Sequence, residues 1–138
     1  MAIFLVAAAI RAGMPGLYPL KVIGATFVGP EALGRGSGPV LYGAALHALT
    51  SIALGLVFAG LVPRELPPLC GVVVGMGYAL LAAGIMASLV VPAVNPAFRG
   101  EMQPIGGSWV IAHALFGLAL GLSHALSGRA PRGGAAGP

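Results

Sequence analysis

Two histidines, His47 and His113, stand inside long apolar stretches of this chain. An imidazole in hydrocarbon has to find a hydrogen-bond partner or a ligand, so both are expected to face the interior of a helix bundle. Three uses are open to such a pair. Each ring can bond a backbone carbonyl or a nearby hydroxyl (Thr50, Ser51 or Ser108) and so tie helices together. The two can be cofactor-binding, as axial ligands to the iron of haem b or to another metal held between facing helices. They can also line a polar cavity that moves protons or a small polar solute. The chain offers no arginine pair for haem propionates and no second histidine pair, which weighs against the second use.

The remaining polar residues spell out no reaction. Glu31 and Glu101 are loop carboxylates without the spacing of a catalytic pair, and there is no Ser/His/Asp set or phosphate-binding loop. A single Cys70 rules out an internal disulfide or a cysteine-based metal cluster. His124 falls in the last turn of its helix, where a cation suits the dipole and an interfacial position is expected. No catalytic residue is assigned, and the protein is read as non-enzymatic, with no cofactor unless the haem use holds.

The elements that carry the two histidines are copies of one another. His47-Ala-Leu-Thr-Ser-Ile-Ala-Leu-Gly-Leu-Val-Phe-Ala59 recurs 66 residues on as His113-Ala-Leu-Phe-Gly-Leu-Ala-Leu-Gly-Leu-Ser-His-Ala125, with eight of thirteen positions identical. Chance in Ala/Leu/Gly-rich sequence gives roughly two or three. The same offset lays Val28 on Val94, Pro30 on Pro96 and Gly34 on Gly100.

Composition says where such a chain can fold. Of its 138 residues 58% are hydrophobic and 7% charged, against about 25% charged in a soluble domain. So few charges cover the ends of a bundle whose sides meet lipid, where every backbone group must be satisfied inside a helix or a closed barrel. The alternation of barrel strands is missing, which leaves helices. The net charge of +4 comes from basic residues scattered singly. That pattern suits membrane-flanking loops beside anionic lipid and excludes a nucleic-acid surface. Met1 leads straight into apolar sequence without a basic n-region, so insertion rests on the spans themselves.

Three stretches reach the length needed to cross hydrocarbon, 40–62, 69–94 and 108–126. Pro63 to Pro68 stops the helices on either side and makes a tight hairpin. Residues 3–28 are interrupted by Arg11 and by Gly13-Met-Pro-Gly16. The repeat favours one span there, kinked near Pro15; a half-helix with an interfacial segment, or a start upstream of Met1, are the alternatives. The fold class is therefore an all-α integral membrane four-helix bundle. It is built from two parallel copies of a helix hairpin, 3–62 and 69–127, in a single domain 1–127 followed by a disordered tail, 128–138. Basic residues lean weakly towards placing both ends in the cytoplasm.

Leucine gains nothing by leaving lipid, so close backbone approach must hold the helices together. The small-residue pairs Gly71/Gly75, Gly117/Gly121 and, at the position equivalent to the last, Ser51/Gly55 are the expected packing points. Tyr42 and Trp109 open their spans on the same side and are expected in the headgroup belt.

Tyr-Pro-Leu-Lys-Val-Ile-Gly-Ala-Thr at 18–26, the His47 helix, Val-Val-Pro-Ala-Val-Asn-Pro at 90–96 and Ala-His-Ala-Leu-Phe-Gly at 112–117 carry a resemblance. On them the chain resembles small uncharacterised bacterial four-helix membrane proteins of unknown function. The resemblance implies an inner-membrane location and no activity. The role expected is structural or accessory, the partners being the lipid bilayer and either other membrane subunits or a second copy. A haem-binding or redox subunit and a small permease or proton-conducting bundle are the alternatives.

Overall fold

Every regular element among the described residues is helical. The computed structural model describes residues 2–34, 36–63, 65–96, 100 and 103–127. The tail 128–138, Glu101 and the loop arginines Arg35, Arg64 and Arg99 lie outside the described residues. Three helices are long and apolar enough to cross a membrane: α3 (Gly38–Leu61), the run Pro68–Val94, and the run Gln103–Ser127 whose α-helical part is α5 (Gly106–Ser127). At about 1.5 Å per residue, 24 residues reach past a hydrocarbon core of about 30 Å. None of the three carries an Asp, Glu, Lys or Arg. Their flanks are apolar and open, with Leu41 71% and Leu56 70% exposed, as the sides of a lipid-facing bundle require.

The run Pro68–Val94, here α4, is α-helical to Ile85, π-helical from Met86 to Val90, and α-helical again to Val94. Pro92 explains the change. It has no N–H for the Ser88 carbonyl and its ring crowds that group, so the turn just before it widens. Asn95 then closes the helix, its N–H donating to the Val91 carbonyl at 2.7 Å.

Residues 3–28, expected as one kinked span, form two helices, α1 (Ala2–Arg11) and α2 (Tyr18–Val28). Gly13 takes φ +74°, which a side chain would resist, and the chain folds back so that Gly16 packs on Val6 and Ile10. The turn satisfies its own backbone: Gly13 N–H donates to Ile10 O, Met14 N–H to Ala9 O and Tyr18 N–H to Pro15 O. Leu5 and Ala8 of α1 are buried with Val22, Ile105 and Ala112. α1 is therefore held against the start of α5 and does not extend α2 in line.

The helices pair mainly within each half, α2 with α3 and α4 with α5. Both pairs close on glycine, but at different places. A Cβ at Gly24 would fall on the Pro39 carbonyl, and one at Gly43 on the Leu20 carbonyl. In the second half a Cβ at Gly117 would lie 2.6 Å from Met76 Cα, and one at Gly121 2.5 Å from Val72 Cα and 2.6 Å from Gly71 O. Gly75 meets Gly117 with the same intimacy. Gly55 differs from expectation: its nearest neighbour is Leu120 Cδ2 at 3.7 Å, an ordinary contact. Ser51, its partner in the motif, spends its hydroxyl on the His47 carbonyl at 2.7 Å.

Candidate functional site

His47 and His113 line one cavity of ≈220 Å³, walled by α2, α3, α4 and α5. His113 Nδ1 lies 2.8 Å from the Trp109 carbonyl. A carbonyl only accepts, so Nδ1 carries the proton, and in the neutral ring Nε2 is left as an acceptor. The His47 ring bonds no other described residue, and neither ring is sealed from the cavity.

The rest of the wall is apolar with a few hydroxyls. Thr26 donates to Val22 O at 3.2 Å and Ser51 to His47 O, so both hydroxyls turn lone pairs, not protons, towards a guest. Apart from the two histidines, no ionisable side chain (Asp, Glu, Lys or Arg) lines the cavity among the described residues. Met86 and Val90, from the π-helical turn of α4, face it as well; turns of this kind recur at functional sites because they re-aim side chains.

Trp109 was expected in the headgroup belt. It lines the cavity, with its ring centroid 4.1 Å from that of His113 at an interplanar angle of 50°. Tyr42 remains exposed, 42% of its surface open. His124 was expected at the interface and is buried: its Nε2–H donates to the Pro63 carbonyl at 2.8 Å. It also meets Phe58 edge to face, and Phe58 packs against Tyr78. The Tyr78 hydroxyl donates to Leu54 O at 2.9 Å, joining α4 to α3 beside the cavity wall. Tyr78 went unremarked in the sequence; a phenol in the middle of an apolar span was the signal, since its hydroxyl needs a partner there.

Comparison with protein-family models, with curated proteins and with solved structures finds no match. What the cavity does has to be argued from its own walls.

The offset of 66 relates the two helix pairs residue by residue. The residues that close α2 onto α3, Gly24 and Gly43, correspond to Val90 and Trp109 in the second half. Valine and tryptophan cannot let backbones touch as those glycines do, and the close backbone approaches of α4 and α5 lie at Gly71, Gly75, Gly117 and Gly121. Val90, Trp109 and His113 line the cavity. Ser108 is placed elsewhere, beside Arg11 and Pro104, so it is no partner for either histidine.

Proposed function

We propose that the chain is a multi-pass membrane protein whose helices form two hairpin copies, α2 with α3 and α4 with α5, and that it works as an accessory subunit that binds a small molecule inside the bilayer. One observation carries the reading: two repeat-equivalent imidazoles share a mostly apolar cavity with no charged residue in its described wall. An imidazole held in such surroundings wants a partner, and a pocket with a few convergent polar groups is the usual form of a ligand site. Binding without catalysis accords with the chemistry of the walls, which supply no nucleophile paired with a base. An inner-membrane setting is part of the same proposal. The test is purification from native membranes followed by organic extraction and mass spectrometry. A small molecule is expected to accompany the parent protein and to be lost from His113→Phe; equal recovery from both would overturn the reading.

A second reading, an axial haem ligand pair, has one observation in its favour. With Nδ1 bonded to a backbone carbonyl, His113 offers Nε2, the arrangement typical of ligating imidazoles. The lining has no basic residue for propionates. A Soret band lost in both His47→Ala and His113→Ala decides for haem, and a colourless preparation despite haem supply removes it.

A further inference from the structure

Resting on the binding reading, the polar inventory of the cavity narrows the class of guest. A cavity lined by leucine, isoleucine and phenylalanine, of about 150 Å³, holds benzene; at ≈220 Å³ this one holds a substituted ring. Phe27, Trp109 and Phe116 give it aromatic walls. An ion is excluded by electrostatics, because a charge in so apolar a wall has no opposite charge to offset its desolvation. The polar atoms then decide what a neutral ring must carry. His113 Nε2, Thr26 Oγ1 and Ser51 Oγ present lone pairs, since the proton of each group is committed to a backbone carbonyl. A guest that donates can pair with these lone pairs, while the Thr50 hydroxyl, bonded to no described residue, can give or accept. His47, bonded to no described residue, keeps a ring N–H that donates in turn.

We propose that the cavity takes a neutral, lipid-soluble phenol or hydroquinone head group, whose hydroxyl donates to His113 Nε2 while its oxygen accepts from the His47 ring. The hydroxyl supplies both roles from one atom, which an ether, ketone or hydrocarbon ring cannot. Met86 and Val90 of the π-helical turn close over the ring from α4.

Trp109 is the chain's only tryptophan and lines the cavity, so its emission reports occupancy. The full chain in detergent is titrated with p-cresol and with its isostere p-xylene, a methyl standing for the hydroxyl. Saturable binding of p-cresol is expected, tighter than p-xylene by about tenfold or more, because the isostere leaves His113 Nε2 and the His47 ring without a partner. His47→Phe and His113→Phe are each expected to remove that preference, and Leu122→Ala, on the exposed face of α5, to keep it. Equal binding of the two probes by the parent protein overturns the proposal without any variant having to fold, and leaves the cavity a binding site of another preference. A preference that survives in His113→Phe overturns it as well. If neither probe binds, the binding reading itself falls with it.

Discussion

Phe58 and His124 occupy equivalent places in the two copies of the repeat, 66 residues apart, and they touch: their ring centroids are 5.9 Å apart with the planes at 79°. His47 and His113, also 66 residues apart, line one cavity. The first pair is buried, with the His124 ring bonded to Pro63 O, and the second faces a space.

The His124 ring holds the short connector to the end of α5 through Pro63 O, and packs on Phe58. His124→Ala leaves that carbonyl unpaired and removes the ring contact. It is expected to lower stability by about 1–3 kcal/mol, read as an earlier midpoint in detergent–SDS unfolding. His124→Gln, which can still donate, should recover part of the loss. An alanine variant as stable as the parent would show that the contact contributes nothing.

Tyr78→Phe keeps the ring that packs on Phe58, at 5.4 Å between centroids, and deletes only the hydroxyl bonded to Leu54 O. Hydrogen bonds between membrane helices average about 0.6 kcal/mol, so a loss of about 0.5–1.5 kcal/mol is expected in the same unfolding assay. A loss well above that would mean the phenol does more than join α4 to α3.

The glycines divide by what a methyl would meet. Gly121→Ala and Gly75→Ala press on the partner backbone and are expected to cost about 1–3 kcal/mol or more. Gly55→Ala meets one side-chain methyl at 3.7 Å and should stay within about 0.5 kcal/mol of the parent. Gly24→Ala belongs with the costly group, and because it lies in the other hairpin its effect should add to that of Gly121→Ala. Reversal of this order, with Gly55→Ala the worst, would contradict the packing described.

Cys70 is exposed in the first turn of α4, beside Gly71, whose added Cβ would lie 3.9 Å from His124 Cδ2 near the end of α5. The start of α4 and the end of α5 thus share one end of the bundle. In sealed vesicles a membrane-impermeant maleimide should label Cys70 from the same face on which a C-terminal tag is cut by protease. Labelling from opposite faces would separate ends that the fold joins.

Much of this was legible in the residues. Ten charges among 138 residues, with none inside the three longest apolar runs and no strand-like alternation, point to long apolar helices, which pair each N–H and C=O within their own segment. Helix limits followed closely: 40–62, 69–94 and 108–126 were expected, and Gly38–Leu61, Pro68–Val94 and Gly106–Ser127 are found. Prolines and glycine pairs mark those ends by local chemistry alone.

Tertiary structure decided the rest. Glycine pairs look alike in sequence, yet only contact with a second helix separates Gly121, pressed on Val72, from Gly55, which has room. Residues 3–28 match the stretch 69–94 by offset, but Gly13 lets the chain turn back and gives α1 a buried place on α5 that a straight span would forgo. Trp109 suits a headgroup belt by its position in the sequence, and only the folded chain shows its ring lining a cavity beside His113. Span and limit are properties of one segment in its solvent; closeness, and the space it leaves, belong to pairs of segments.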